Sequence, residues 1–133
     1  MKVYLAARYS RHSEMRGYAS QLRGLGHGVT SRWILGDHEI RTSGHAEDEE
    51  FQVVWALEDW ADLSAASVVI SFTERPGDIA GRARGGRHTE YGMALALGKR
   101  VLVVGYRENV FHHLPQAEFC PTWNDALALL KKE

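Results

Sequence analysis

A glutamate that follows a pair of glycines is the first candidate for chemistry in this sequence. Glu90 lies in the stretch Gly85 to Gly92, which reads Gly-Gly-Arg-His-Thr-Glu-Tyr-Gly. An apolar run from Ser67 to Phe72 precedes it and a helical pattern from Tyr91 to Leu97 follows it, so we expect a strand, a loop and a helix. The dipole of that helix favours an ionised carboxylate in its first turn, and the glycines leave backbone amides free to bind an anion. The alternative is that Glu90 only begins a helix.

A second carboxylate is available from a helix predicted over about Glu50 to Ala65. Pattern alone allows either Asp59 or Asp62, although a solvated position suits Asp62 better because it falls close to the helix end. Two carboxylates at one cleft are typical of glycosidic chemistry, in which one attacks or stabilises the anomeric carbon and the other orients a hydroxyl or manages a proton. Tyr4 is either a core tyrosine with a satisfied hydroxyl or a residue that orients Glu90.

Arginines are concentrated around the same loop. Four of them fall within thirteen residues, and these are Arg75, Arg82, Arg84 and Arg87. Such clusters usually face solvent, but on a glycine-rich loop they can bind phosphate. The seven histidines show no metal-ligand spacing, and the glycines match neither the dinucleotide nor the P-loop pattern. We therefore expect no metal and no other cofactor.

The elements that position these residues alternate between strand and helix. Strands are predicted at Lys2–Ala7, His27–Ile34, Val68–Phe72, Arg100–Gly105 and Glu118–Cys120. Helices are predicted from about Ser13 to Leu25, Glu50 to Ala65, Tyr91 to Leu97 and Trp123 to Lys131, with Ser10 or Ser13 capping the first. This alternation predicts a flavodoxin-like or Rossmann-like three-layer α/β sandwich, with a five-stranded parallel sheet in the order 2-1-3-4-5.

In such a sheet the loops after strands 1, 3 and 4 meet at the point where the strand order reverses. That topology brings together Arg8 to Arg11, Arg75 to Glu90, and Tyr106 to Asn109. Residues 35 to 49 lack periodicity and are expected to form a loop that covers a site.

Composition narrows the class of protein. The chain has 133 residues, which suits one domain over 1–133, and its net charge of −1 argues against binding a nucleic-acid polymer. We expect no signal peptide and no membrane span, because Met1 leads directly into a strand and no apolar run is long enough. The single cysteine, Cys120, fits a reducing cytoplasm.

Taken together, these residues resemble the nucleoside 2-deoxyribosyltransferase family, which includes 2'-deoxynucleoside 5'-phosphate N-hydrolases. Tyr4-Leu-Ala is similar to the first strand of the family, and Asp59, seven residues before Ala66-Ser-Val-Val, is similar to its sugar-binding aspartate. Glu90-Tyr-Gly-Met-Ala-Leu-Ala-Leu-Gly-Lys resembles the helix of the nucleophile. Glu108-Asn-Val-Phe resembles a segment that a neighbouring subunit contributes.

The resemblance implies a retaining displacement. Glu90 would attack C1' of a deoxyribonucleoside, and a second base or water would resolve the glycosyl ester. Tyr4 would hold Glu90, Asp59 would bind sugar hydroxyls, and Asn109 from a partner subunit of a homodimer or larger assembly would reach the 5' position. The implied substrate-binding set is Ala6, Arg8, Ser10, Arg11, Trp33, Gly86, Arg87 and Asn109. Trp33 or Tyr9 would stack on the base, although each is more often a packing residue.

One departure from the family concerns the substrate. Transferases of free nucleosides often carry acidic residues just before the nucleophile, where this chain has Arg84 to Arg87, although Asp78 could still protonate the base. Arginines there, and Arg8, Ser10 and Arg11 after the first strand, favour a 5'-monophosphate. The sequence leaves transferase and hydrolase open. It also leaves open a nucleotide-binding sensor in which Glu90 is only a helix cap.

Overall fold

A five-stranded parallel sheet forms the centre of the molecule. The computed structural model describes residues 1–36, 46–78 and 85–131, with the side chains of 46–48 left out. The strands are β1 (Lys2–Ala6), β2 (Gly28–Val29), β3 (Val68–Phe72), β4 (Arg100–Val104) and β5 (Ala117–Cys120). They lie in the order β2-β1-β3-β4-β5, and every neighbouring pair is parallel. The predicted strand order is therefore confirmed.

Helices cover the sheet and complete the three-layer α/β fold. They are α1 (His12–Gly24), α2 (Ala46–Ala65), α3 (Gly86–Ala96) and α4 (Trp123–Lys131), with short 3₁₀ helices at Tyr9–Arg11, Arg32–Leu35 and Val110–His113. α1 contacts α4 where the rings of Tyr18 and Trp123 stack with centroids 4.4 Å apart. α3 packs on β3, β4 and β1. Within the described residues, no helix is long and apolar enough to cross a membrane.

The two central strands explain why the fold forms from this sequence. β3 reads Val-Val-Ile-Ser-Phe, and all five side chains are buried. β4 is buried from Val101 to Val104. A strand without polar alternation requires cover on both faces, which helices on the two sides of a parallel sheet provide.

The predicted second strand is largely wrong. Only Gly28 and Val29 pair with β1, and a 3₁₀ helix begins at Arg32. Side chains replace the missing ladder, because Ser31 accepts a hydrogen bond from the backbone N–H of Leu5 at 3.1 Å and Trp33 donates to the Leu5 carbonyl at 2.7 Å. Side-chain bonds of this kind offer the backbone an alternative to strand pairing.

Two other helix predictions need correction. Neither Ser10 nor Ser13 caps α1, whose N-cap residue is Arg11 and carries no side-chain cap bond. α2 begins at Ala46, four residues earlier than the predicted Glu50. The loop predicted for residues 35–49 therefore ends before Ala46, and its stretch 37–45 lies outside the described residues.

Much of the apolar side of α2 is exposed among the described residues. The exposed large side chains on it are Phe51, Val53, Val54, Leu57 and Trp60. Leu57 is 64% exposed, whereas Leu63 near the helix end is fully buried. A contiguous apolar helix face of this extent is unusual on a soluble monomer. These side chains form an exposed apolar surface in the part of the chain that the structure describes.

Candidate active site at the carboxyl ends of the strands

Tyr4 and Glu90 meet at the centre of the candidate site. Tyr4 is fully buried on β1, and its hydroxyl donates a hydrogen bond to Oε2 of Glu90 on α3. β1 and α3 are brought into contact by the packing of α3 against the sheet. Tyr4 is thus a core residue whose hydroxyl is satisfied by Glu90, which fits both alternatives that the sequence left open, and its role in orienting Glu90 stays a prediction.

The position of Glu90 in its helix differs from the prediction. α3 begins at Gly86 after Gly85, whose φ of +81° is a left-handed conformation that suits glycine. Glu90 is consequently in the second turn, where the helix dipole stabilises a carboxylate much less than in the first. Burial raises the pKa of Glu90 to about 8. Burial therefore favours the protonated form of the carboxyl at neutral pH, contrary to the expectation of an ionised group.

The two aspartates of α2 have different surroundings. Asp62 is buried and accepts hydrogen bonds from the backbone N–H and the Nε of Arg32, both at 3.0 Å. The prediction of a solvated Asp62 is wrong, because Arg32 provides the charge partner that its burial requires. Asp59 lies almost one turn earlier, is half-buried and interacts electrostatically with Arg32. It remains the predicted sugar-binding residue.

The arginines after β1 bind a glutamate that the sequence interpretation overlooked. Glu74 follows β3 and pairs with Arg8 at 2.8 Å and with Arg11 at 3.0 Å. Arg11 also donates to both oxygens of Glu14, at 2.8 and 2.7 Å. The loops after β1 and β3 do meet, as predicted from the strand order, and ion pairs join them.

Arg87 forms a second ion pair at the same edge of the sheet. Its side chain is buried and donates to both carboxylate oxygens of Glu108, with the Nη2–Oε2 distance at 2.9 Å. Glu108 also accepts from the backbone N–H of Glu74 at 2.7 Å. Burial raises the pKa of Glu108, but the bonds from Arg87 and from the Glu74 amide outweigh it and hold that pKa below its usual value. The loops after β3 and β4 are thus fastened to the first turn of α3.

Asn109 caps the 3₁₀ helix that follows Glu108. Its Oδ1 accepts from the backbone N–H of Phe111 at 2.9 Å, and its own backbone N–H donates to Nδ1 of the buried His112 at 3.3 Å. Its Nδ2 lies 3.5 Å from Nδ1 of His88. The side chain has a defined orientation within this chain, and its predicted role in a partner's site stays a prediction.

The other predicted binding residues border this cluster with different exposures. Trp33 is only 4% exposed, and its ring lies 6.3 Å from that of the half-buried Tyr9, centroid to centroid. Tyr9 is therefore better placed than Trp33 to contact a base. Ala6 is buried at the end of β1, whereas Ser10 and Gly86 are exposed. Arg82 and Arg84 lie outside the described residues, and Arg75 is exposed.

The sequence interpretation gave no role of their own to Glu74, Glu108 and His112, although it included Glu108 in a segment of the site. Glu74 stands two residues after β3 and Glu108 four residues after β4, at the edge where ligands bind in such sheets. Their position in the topology was a usable signal. Within the described part of the chain, no three His, Cys, Asp or Glu side chains are grouped to hold a metal ion.

Comparison with known proteins supports the fold. No protein-family model matches the chain, and no curated protein matches it in sequence. It is similar to the structure of a 2-deoxyribosyltransferase from Bacillus psychrosaccharolyticus, with a TM-score of 0.69 and 22% identity over 98% of this chain and 96% of that one. It is also similar to the CMP N-glycosidase BcmB of Clostridium botulinum, with a TM-score of 0.59, 18% identity and full coverage of both chains.

A third similar structure is a conserved protein from Enterococcus faecalis, with a TM-score of 0.61 and 14% identity over 99% of this chain and 98% of that one. At these identities the likeness is one of fold, and it extends over almost the whole chain in all three cases. The α/β fold of this chain is therefore similar to that of a 2-deoxyribosyltransferase and of a CMP N-glycosidase.

Proposed function

We propose that this chain is an enzyme that cleaves or exchanges the N-glycosidic bond of a nucleoside or its 5'-monophosphate. The observation that carries the proposal is the hydrogen bond from Tyr4 to a desolvated Glu90 at the carboxyl ends of the strands. A half-buried glutamate whose carboxyl is desolvated and hydrogen-bonded to a tyrosine suits nucleophilic attack on an anomeric carbon. Fold similarity to a 2-deoxyribosyltransferase and a CMP N-glycosidase adds support.

The proposed reaction proceeds in two displacements. The carboxylate of Glu90 attacks C1', the C1'–N bond breaks with its electron pair leaving on the base, and an ester links the sugar to Oε of Glu90. The base takes up a proton as it leaves. Water or a second base then attacks C1' and releases the carboxylate, with net retention at C1'. Tyr4 orients Glu90, and Asp59 binds sugar hydroxyls.

Glu90 must lose its proton before it can attack. Its pKa of about 8 means that a substantial fraction becomes ionised only in mildly alkaline solution. The hydrogen bond from Tyr4 stabilises the ionised form, because the carboxylate is the stronger acceptor. A poised carboxyl of this kind is common at sites where a charge must appear during the reaction.

The proposal includes a homodimer or a larger assembly of the same chain. The exposed apolar side chains of α2 offer a surface for a second copy, and the exposed Val110 and Phe111 lie next to Asn109. Burial of such side chains is the main stabilising contribution in permanent interfaces. In this assembly Asn109 reaches the site of the neighbouring subunit. We further propose that each chain is one domain and that the enzyme acts in the cytoplasm without a cofactor.

One observation favours a second candidate function. A protonated Glu90 at neutral pH can donate a hydrogen bond to a ligand without attacking it, which suits a nucleotide-binding sensor. The two functions differ in the effect of Glu90→Gln. An enzyme loses turnover and retains binding, whereas a sensor shows no turnover in either form and keeps its ligand.

The test is a chromatographic assay on a panel of substrates. Purified protein is incubated with deoxynucleosides and their 5'-monophosphates, each with and without a second free base. A new nucleoside that requires the added base identifies a transferase, and free base released without an acceptor identifies a hydrolase. As a control, Glu118→Gln makes the same carboxylate-to-amide change in the ion pair between Glu118 on β5 and Arg100 on β4. This variant should retain the activity that Glu90→Gln loses. If the protein binds nucleotides tightly but forms no product from any substrate, the sensor function would be favoured over the enzyme.

A further inference from the structure

A single glutamate engages both arginines of the loop after β1. One oxygen of Glu74 pairs with Nε of Arg8 at 2.8 Å, and the other with Nη1 of Arg11 at 3.0 Å. The side chain of Glu74 is only 13% exposed, while those of Arg8 and Arg11 are 41% and 20% exposed. The carboxylate is thus the least exposed member of the cluster, with a guanidinium on each of its oxygens.

The position of Glu74 is fixed by its backbone as well. Its N–H donates to Glu108 at 2.7 Å, and the preceding residue, Thr73, donates its own N–H to the Val104 carbonyl at 3.0 Å. Glu108 in turn is held by the buried Arg87. The backbone of Glu74 is therefore fastened to the loop after β4, and the carboxylate itself is held in place by its two pairs with Arg8 and Arg11.

Three arginines at this edge of the sheet each have a glutamate partner. Arg8, Arg11 and Arg87 have Glu74, Glu14 and Glu108 as their partners. A phosphate dianion would have to displace Glu74 and leave a largely buried carboxylate beside it. Like charges placed together at a recognition site are strongly unfavourable, and a buried carboxylate that loses its partner adds to that cost. A hydroxyl has no such conflict, because it can donate to the carboxylate.

We propose that Glu74 is a specificity-determining residue that disfavours a 5'-phosphate, so that the site takes nucleosides in preference to their 5'-monophosphates. This inference rests on the proposed function. It gives the arginines after β1 a different role from the phosphate binding that their sequence favoured. The ion pair between Arg11 and Glu74 contributes more to this discrimination than the pair between Arg8 and Glu74, because water screens the more exposed Arg8 better.

The first test compares kcat/KM for a deoxynucleoside and for its 5'-monophosphate. Wild-type protein should prefer the nucleoside, and Glu74→Gln should raise the ratio of monophosphate to nucleoside by about tenfold or more. Glu118→Gln, which removes the same charge from the Arg100 pair, should leave the ratio unchanged. A wild-type preference for the monophosphate, or an unaltered ratio in Glu74→Gln, would overturn the inference.

A binding measurement separates this inference from the proposed function. Inorganic phosphate is titrated into wild-type, Glu74→Gln and Glu118→Gln proteins by calorimetry, after circular dichroism has shown that each is folded. Phosphate should bind Glu74→Gln at least about tenfold more tightly than the other two. If no protein turns over any substrate, the proposed function fails, yet this titration still decides the role of Glu74. Equal phosphate affinity in all three would reject that role even in an active enzyme.

Discussion

The hydroxyl of Tyr4 on the first strand donates a hydrogen bond to the carboxyl of Glu90, which follows 86 residues later on α3. Tyr4 itself is fully buried, so the orientation of Glu90 depends on the sheet rather than on a flexible loop. Burial raises the pKa of Glu90 to about 8. The site therefore holds the Glu90 carboxyl in one orientation, while its burial favours the protonated form.

The pH dependence of activity should follow the ionisation of the Glu90 carboxyl. Because only the ionised carboxylate attacks, kcat/KM should rise with pH through an apparent pKa near 8 and level off above it. Tyr4→Phe removes the donor that stabilises the carboxylate, so it should move this pKa upward and lower kcat/KM by about tenfold or more at pH 7. Initial rates between pH 5 and 10 measure both effects. A rate that falls across this range would be inconsistent with an attacking Glu90.

The stability of the protein should fall as pH rises through the same range. The folded-state pKa of Glu90 is raised, so the native state binds more protons than the unfolded state between about pH 4.5 and 8. The free energy of unfolding therefore decreases across that window. Glu90→Gln removes this pH-dependent contribution, so it should be more stable than wild type at pH 9 by up to about 4–5 kcal/mol, with a much smaller difference at pH 5. Urea denaturation at both pH values measures it, and an unchanged difference would contradict the raised pKa.

The buried pair between Arg87 and Glu108 should contribute strongly to the stability of the loops. Glu108→Ala leaves a buried guanidinium without its carboxylate, so it should lower the free energy of unfolding by about 3–5 kcal/mol. Glu118→Ala breaks the more exposed pair with Arg100 and should lower it by less than about 1 kcal/mol. Denaturant titration compares the two variants. Equal losses would mean that the burial of Arg87 is energetically unimportant.

The apolar face of α2 should be covered by a second copy of the chain. Leu57→Glu places a charge on that face, so it should convert the assembly to a monomer and reduce turnover, because Asn109 would no longer reach a partner's site. Leu25→Glu introduces the same charge at an exposed apolar position at the end of α1 and should change neither property. Light scattering coupled to gel filtration gives the mass. A fully active wild-type monomer would refute the proposed assembly.

The sheet was predictable from the sequence because its central strands carry their own signal. β3 and β4 are mostly apolar and lack polar alternation, which is typical of strands in a sheet covered on both faces. The second strand was not predictable beyond Gly28 and Val29, since the bonds that replace the ladder come from Ser31 and Trp33 to a residue on β1.

The candidate site was only partly predictable for a similar reason. Glu90 and Tyr4 stood out by position and residue type, but the partners of the arginines did not. Arg11 and Glu74 are separated by 63 residues, and Arg87 and Glu108 by 21. Ion pairs over such distances leave no local pattern, and only the sheet topology indicates that their loops meet.

The central claim is that Glu90 forms a covalent bond with the sugar. The most direct measurement is mass spectrometry of protein quenched in acid during turnover of a 2'-fluoro-arabinonucleoside, whose electronegative fluorine slows breakdown of the glycosyl ester. We predict an added sugar on the peptide that contains Glu90, and no adduct on that peptide in Glu90→Gln. Turnover of the substrate without any sugar on Glu90, or an adduct that persists in Glu90→Gln, would contradict the account.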